Sequence, residues 1–342
     1  MLSEKQVKEI KEHLEKAQNP LFFFDNDADG LSSFLLLRRY IDRGKGVAIK
    51  SFPDLNESYA RKLHELNPDY VFVLDKPDIA EGFLEEVHKL NLPLVWIDHH
   101  NVEKPKDKEI YYYNPYHFNK SNEPVSYLCY KIVKRDLWIG MIGCIGDGFF
   151  PDFVSEFKEK YPELWRRDID TAFEALYTTE LGKIIKVLSF ALKDRTTKVV
   201  AMLKFLSQTT GPHDILDEEK ARAILHRFKQ VNNKYSALLE KAKRFSKGKI
   251  LFFQYGGELS VSADVSNELS FLYPDKVVVV AYIKGTKANV SLRWKGDVRK
   301  LTLEAIKGLE NATGGGHEHA TGAQISVEDL PKFREKIEKI VG

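Results

Sequence analysis

The chain has 342 residues, which is long enough for two domains that each bury a core. Its 52 Lys and Arg residues balance 50 Asp and Glu residues, so net charge gives no general signature of nucleic-acid binding. The two cysteines, Cys129 and Cys144, lie in apolar segments, no apolar run approaches the ~20 residues of a membrane span, and the N-terminus lacks the apolar core of a signal peptide. We therefore expect a soluble, cytoplasmic protein with buried reduced thiols and no membrane association.

The first hundred residues alternate between predicted helices and strands. Residues 3–17 have the apolar spacing of an amphipathic helix, and Ser3 and Gln6 are spaced as in a capping box. Continuous apolar strands that alternate with helices predict a parallel sheet covered on both faces. The predicted strands are residues 21–24, 47–52, 70–74 and 93–97, and the predicted helices between them are residues 31–43, 57–66 and 77–90.

The loop after the first predicted strand carries three alternating carboxylates, Asp25, Asp27 and Asp29. Because these groups repel each other and are costly to desolvate, a divalent cation is expected among them. The same spacing opens an EF-hand calcium loop, but the twelfth position is Leu36 instead of Glu, and a strand precedes the loop. The pattern favours a metal site over a calcium sensor or a solvated acidic turn.

Further acids and imidazoles follow the ends of other predicted strands. Asp75 follows the third strand, and Asp98, His99 and His100 follow the fourth. Because ligands collect beyond the carboxyl ends of parallel strands, these side chains are predicted to meet the acidic loop at one edge of the sheet. Asp147 lies in a small apolar segment, residues 139–150, where it could cap a turn or bind a metal; the other motifs favour the metal.

The remainder of the chain is predicted to be a helical stretch followed by a second α/β unit. One helix is expected to start within residues 119–123, and residues 161–248 are mostly helical with a break at 208–217. This stretch is interpreted as a packed connector, with a self-association surface, and hence a homo-oligomer, as the alternative. Strands are predicted for residues 250–254, 277–282, 288–294 and 323–327, and helices for 301–308 and 328–340.

The second unit contains a glycine-rich segment beside two histidines. Three consecutive glycines predict a turn whose backbone amides can approach an anion closely. Together with Arg293 on a predicted strand, the segment is a candidate phosphate-binding site. Its members are Gly314, Gly315, Gly316, His317 and His319.

Taken together, these motifs resemble the DHH/DHHA1 phosphoesterase family. The acidic loop most resembles that of RecJ-like single-strand exonucleases, and the compact size resembles the short archaeal RecJ-like proteins, among them the Hef-associated nuclease. The resemblance implies an α/β fold with an N-terminal DHH catalytic domain (1–190) whose parallel sheet is covered by helices, a helical connector (191–248) and a smaller α/β DHHA1 substrate-binding domain (249–342). The matching segments are 25–30, 74–75, 98–100, 143–147 and 314–322, in family order.

The resemblance also implies roles for individual residues. His100 is expected to face the scissile phosphate, with Asp98 orienting an imidazole. Many family members have a His four residues before Asp27, where this chain has Phe23, so one metal either has fewer ligands or recruits Asp25. Two divalent ions are expected, with Mn²⁺ preferred and Mg²⁺ as the alternative. The implied metal ligands are Asp27, Asp29, Asp75, His99 and Asp147, with Asp75 as the bridge.

The activity implied by the resemblance is metal-dependent phosphodiester hydrolysis. The chain is predicted to be an exonuclease that removes terminal nucleotides from single-stranded nucleic acid in DNA repair, with a repair or replication-fork helicase as a partner. The alternative within the family is a phosphodiesterase for nanoRNA, 3′-phosphoadenosine phosphate or cyclic dinucleotides. A non-catalytic binding module on the same scaffold is the alternative from another class.

Overall fold

The computed structural model describes residues 1–49, 55–166, 168–316 and 318–342, so the predicted site residue His317 lies outside the described residues. The chain divides into two units, residues 1–228 and 229–342, and the predicted connector, 191–248, is shared between them. No helix in the described ranges is both long and apolar enough to cross a lipid bilayer. Cys129 and Cys144 are both free and buried, as predicted.

The first unit begins with alternating strands and helices. Ser3 and Gln6 form the predicted capping box at the start of the first helix, α1 (Glu4–Lys16). The strands are β1 (Pro20–Asp25), β2 (Lys45–Ile49), β3 (Tyr70–Leu74), β4 (Leu94–Ile97) and β5 (Ile110–Tyr113). The helices beside them are α1 (Glu4–Lys16), α2 (Ala28–Ile41), α3 (Glu57–Leu66) and α4 (Glu81–Lys89).

Helices complete this unit and extend into the next. The helix predicted to start within residues 119–123 starts instead at Val125, directly after Pro124. The remaining helices are α5 (Tyr116–Asn119), α6 (Val125–Val133), α7 (Leu137–Gly146), α8 (Val154–Lys160), α9 (Ala172–Thr178), α10 (Glu180–Leu192), α11 (Thr196–Leu206), α12 (His213–Leu216) and α13 (Arg222–Lys243), with a 3₁₀ turn at Pro162–Leu164.

The five strands form one parallel sheet in the order β2-β1-β3-β4-β5. Phe24 pairs with Leu74, Leu74 with Ile97, and Ile97 with Tyr113, so the next residue of each strand reaches the same edge. Alternation along each strand divides its side chains between two cores. Phe22 and Phe24 pack toward α2, α6 and α7, whereas Phe23 packs on the opposite face with α3 and α4. This is the predicted α/β architecture.

Close packing of α7 against α2 and α6 brings Asp147 to the sheet edge. A Cβ atom at Gly143 would lie 2.3 Å from the Ser126 side chain and 2.8 Å from that of Ser32. Glycine at this position therefore allows the three helices to approach each other. Asp147 follows the last residue of α7, and its N–H donates to the Gly143 carbonyl.

The second unit is a mixed sheet with helices. Its strand order is β6-β7-β8-β10-β9; β6 and β7 are parallel and the other neighbours are antiparallel. The predicted glycine turn is wrong: residues 313–316 form the edge strand β9, because pairing with β10 decides the conformation of a run that has no side-chain pattern. The elements are β6 (Ile250–Gly256), α14 (Ser262–Leu272), β7 (Val277–Lys284), β8 (Lys287–Arg293), α15 (Val298–Ile306), β9 (Thr313–Gly316), β10 (Ala320–Ser326) and α16 (Leu330–Val341), with a 3₁₀ turn at Val327–Asp329.

Candidate metal centre

The carboxyl ends of three strands deliver acids to one edge of the parallel sheet. Asp25 is the last residue of β1, Asp75 follows β3 and Asp98 follows β4. The N–H of Asp75 donates to the Ile97 carbonyl and that of Asp98 to the Tyr113 carbonyl, both at 3.0 Å. Asp75 has a left-handed φ of 58°, a conformation that costs a non-glycine residue roughly 1–2 kcal/mol. The sheet therefore fixes the position of these acids.

Two groups of potential metal ligands meet at this edge, and Asp75 belongs to both. One group contains Asp75, His99 and His100, and the other contains Asp25, Asp27 and Asp75. Within each group the ligand atoms lie within 4.8 Å of one another. Asp75 is therefore the carboxylate common to both groups of potential ligands.

His99 has the hydrogen-bonding pattern of a metal-binding imidazole. It is buried, its Nδ1 lies 3.1 Å from the Asn122 carbonyl, and its Nε2 lies 3.5 Å from Oδ1 of Asp75. Because a carbonyl can only accept, Nδ1 carries the proton, and in the neutral ring Nε2 keeps its lone pair. Burial opposes protonation of His99, but the hydrogen bond to Asp75 and the charges of Asp147, Asp75 and Asp29 raise its pKa well above the usual value.

His100 is braced by a buried polar network. Its Nδ1 lies 2.7 Å from Oδ1 of Asp98, and its backbone N–H donates to the other oxygen of that carboxylate. Asn114 donates through Nδ2 to Asp98, to the His100 carbonyl and to the Tyr112 hydroxyl, at 3.2, 2.9 and 2.9 Å. The network fixes the orientation of the His100 ring, with Nδ1 directed at the Asp98 carboxylate as hydrogen-bond acceptor.

The pKa values of three acids in the site are raised. Burial, with the charges of Asp29 and Asp27, raises the pKa of Asp75 well above its usual value. Solvent reaches Asp27 and Asp147, but the protein packed around them disfavours the charged form and raises their pKa values to about 7 and about 8, respectively. The neighbouring carboxylates add to both shifts, whereas His99 opposes that of Asp147.

This donor set fits a divalent ion. Carboxylate oxygens with one imidazole nitrogen are ligands that suit Mn²⁺ or Mg²⁺. The charge of a divalent ion would also offset the repulsion between the neighbouring carboxylates, so that all of them could be ionised at neutral pH. Asp29 contributes to the site through its charge, but both of its oxygens already accept hydrogen bonds of 2.8 Å, from the N–H groups of Val125 and Ser126. It therefore anchors the first turn of α6 as well as lining the site.

Arg293 and the glycines Gly314–Gly316 of the second unit belong to one sheet. Arg293 ends β8 opposite Ala320 of β10, and β10 in turn pairs with the glycines of β9. The Arg293 guanidinium donates to Asn267 Oδ1 and to the carbonyls of Leu292 and Thr321. His319 is exposed, with Nδ1 3.3 Å from the Gly296 carbonyl. The sheet thus brings Arg293 and the glycine strand into neighbouring positions.

Residues 246–342 match the DHHA1 domain family. Three solved structures each align with 98% of this chain. The DHH domain of a member of the s1p family of ribosomal proteins has a TM-score of 0.70 and 16% identity, and 89% of that chain is covered. RecJ from Thermus thermophilus in complex with Mn²⁺ has a TM-score of 0.67, 15% identity and 54% of its chain covered, and an exonuclease RecJ bound to manganese has a TM-score of 0.63, 16% identity and 93% of its chain covered. The chain carries a DHHA1 domain and has the fold of these RecJ and DHH-domain structures. No curated protein sequence matches it.

The chain spans about half, 54%, of the length of the Thermus RecJ chain, and identities of 15–16% show a shared fold. The predicted recognition and fold class are therefore confirmed.

Two residues of the first unit bear on how the site could hold a metal. Phe23 stands where many DHH family members have His; it is fully buried, and its ring packs edge-on against Phe83 with centroids 5.2 Å apart. Lys76, directly after Asp75, is only 2% exposed, and its Nζ lies 2.9 Å from Oδ1 of Asp25. Sequence reasoning missed Lys76, although a lysine between a strand-end aspartate and Pro77 was a signal that it could sit in the site.

Proposed function

We propose that this protein is a metal-dependent phosphodiesterase, a RecJ-like exonuclease that hydrolyses terminal phosphodiester bonds of single-stranded nucleic acid. The observation that carries the proposal is the shared position of Asp75, between a buried imidazole in the ligand tautomer and a group of carboxylates. Its fold is that of DHH phosphoesterases, which supports hydrolysis of a phosphate ester.

The proposed metal ligands are the strand-end and helix-end residues that surround Asp75. A divalent ion held there supplies Lewis acidity toward a phosphate oxygen and lowers the pKa of water. His99 keeps Nε2 as the donor atom because the Asn122 carbonyl holds its Nδ1 proton. The proposed ligands are Asp27, Asp29, Asp75, His99 and Asp147.

His100 is proposed to contact the scissile phosphate. Because Nδ1 of His100 contacts Oδ1 of Asp98, Nε2 is the ring nitrogen proposed to contact a phosphate oxygen. Asn114 holds Asp98 in place, so the ring is oriented before substrate binds. The protein groups thereby bind and orient the phosphate whose P–O bond is cleaved.

The DHHA1 domain is proposed to bind phosphates further along the nucleic acid. Arg293 supplies a fixed positive charge, and the exposed His319 supplies a further donor. Glycine also allows a phosphate to approach those N–H groups of the edge strand Gly314–Gly316 that face away from β10. Arg293→Ala is expected to raise KM more than Arg299→Ala, an exposed arginine of the same unit. Equal KM values in the two variants would contradict the proposed role of Arg293.

The decisive experiment is degradation of labelled single strands from two to about thirty nucleotides long, in Mn²⁺ and in Mg²⁺. DNA and RNA would each be labelled at either end. A ladder of shortened products from the long strands is the expected result. Cleavage confined to dinucleotides and the next few lengths would replace the exonuclease by a small-nucleotide phosphodiesterase, and no cleavage in either metal would overturn the catalytic proposal.

A further inference from the structure

Lys76 places a positive charge inside the acidic cluster. We infer that its ammonium group, and not a second divalent ion, neutralises the Asp25 side of the cluster, so that the site holds one divalent ion. This inference rests on the metal centre proposed above and specifies how many ions it takes. It also makes Lys76 a positioning residue of that centre.

The position of Lys76 is fixed at both its side chain and its backbone. Nζ lies 2.9 Å from Oδ1 of Asp25, and the side chain is 2% exposed. The backbone carbonyl of Lys76 accepts a 2.8 Å hydrogen bond from Nε1 of the buried Trp96. A buried ammonium is strongly unfavourable without a partner, so the contact with Asp25 is a permanent part of the folded site.

The Asp25 side of the cluster also lacks an imidazole. Phe23 contributes only carbon, and its ring is held on the opposite face of the sheet between Phe83 and Tyr59. The ligand group on this side consists of carboxylates alone, Asp25, Asp27 and Asp75, and one of them is already paired with Lys76. Of the two ligand groups in the described residues, this one is therefore the weaker.

The opposite side retains the features that hold an ion. His99 is buried and has its ligand nitrogen 3.5 Å from Oδ1 of Asp75. An ion bound there also uses Asp75. A second ion would then meet both the first ion and the Lys76 ammonium, and both contacts are repulsive.

Replacing Lys76 tests the inference directly. Lys76→Met keeps a long apolar side chain in the buried position and removes the charge, which frees Asp25. Mn²⁺ binding to the metal-free full-length chain would be measured by titration calorimetry and by metal analysis after desalting, with circular dichroism to check folding. We expect one ion per chain in the wild type and two in Lys76→Met. Lys89→Met, which removes an exposed lysine, is the matched control and should bind one.

The wild-type measurement separates the two proposals even if Lys76→Met fails to fold. Two ions per wild-type chain would overturn the inference and leave the metal centre standing, whereas no bound ion would overturn the metal centre itself. If Lys76→Met folds and still binds one ion, the role of Lys76 is overturned. The double variant Asp25→Asn/Lys76→Met removes both partners of the ion pair; a loss of more than about tenfold in affinity for the remaining ion would show that Asp25 is a ligand and contradict the inference.

Discussion

Nδ1 of His100 lies 2.7 Å from Oδ1 of Asp98, a carboxylate that is fully buried and held by Asn114. Asp98 orients the ring, and this orientation should matter most once the phosphate is bound. Asp98→Asn is therefore expected to lower kcat by about 10–100-fold with a small change in KM. Steady-state kinetics on a labelled strand measures both, and Asp152→Asn, at an exposed ion pair, is the control. A change in KM alone would contradict this role.

His99 is expected to contribute to metal affinity. His99→Ala removes Nε2 beside Asp75 and leaves a cavity in a buried position, so Mn²⁺ affinity should fall by at least about tenfold. Titration calorimetry on the metal-free variant measures this without reference to activity. His64→Ala replaces an exposed histidine paired with Glu86 and should bind Mn²⁺ as the wild type does. Unchanged affinity in His99→Ala would remove this residue from the ligand set.

The sequence predicted the strand-end acids well because their placement follows from a simple geometric rule. Once four apolar strands are recognised as parallel neighbours, their carboxyl ends must share one edge, so Asp25, Asp75 and Asp98 are brought together whatever the details of packing. The imidazoles of His99 and His100 follow by adjacency. Whether each predicted residue binds a metal is a separate question, which the variants above address.

Other features depend on contacts that no local pattern encodes. The Asp29 carboxylate accepts hydrogen bonds from the N–H groups of Val125 and Ser126, which lie 96 and 97 residues later in the sequence. This contact places the start of α6 at Val125, after Pro124. Lys76 and Asp25 are 51 residues apart, and their pairing requires the register of two neighbouring strands. The strand β9 forms because Gly314–Gly316 pair with β10, although glycine itself favours turns.

The metal-free protein should lose stability as pH rises from about 4 to 8. Asp27, Asp75 and Asp147 have raised pKa values, about 7 and about 8 for the first and last, so the folded state binds more protons than the unfolded state in this window. Thermal unfolding in a chelator should show the fall in Tm, and the increase in Tm caused by Mn²⁺ should grow over the same range because ligands must lose their protons. Asp27→Asn should weaken both trends; identical pH profiles for the variant and the wild type would contradict the assignment.

Gly143 should be intolerant of any side chain. Its Cβ in Gly143→Ala would lie 2.3 Å from the Ser126 side chain, in a buried junction where little can move. We expect a loss of about 1–3 kcal/mol in the free energy of unfolding, measured by urea denaturation. Gly211→Ala, at a position with open space around it, is the control and should change stability much less. A loss of unfolding free energy at Gly143 as small as that at Gly211 would contradict the prediction and show that α7 can shift away from α2 and α6.

The ion pair between Asp214 and Lys220 should stabilise the first unit in a pH-dependent way. Hydrogen bonds from Lys220 and from the Thr210 N–H lower the pKa of Asp214 to about 2. Because the folded pKa lies below the unfolded value, the stabilisation is fully present above about pH 4 and is lost as pH falls toward 2. After allowance for solvent near the pair, Asp214→Asn should cost about 1–2 kcal/mol at pH 7. Urea denaturation at pH 7 and at about pH 2 checks this, because the difference in unfolding free energy between Asp214→Asn and the wild type should nearly vanish at the lower pH.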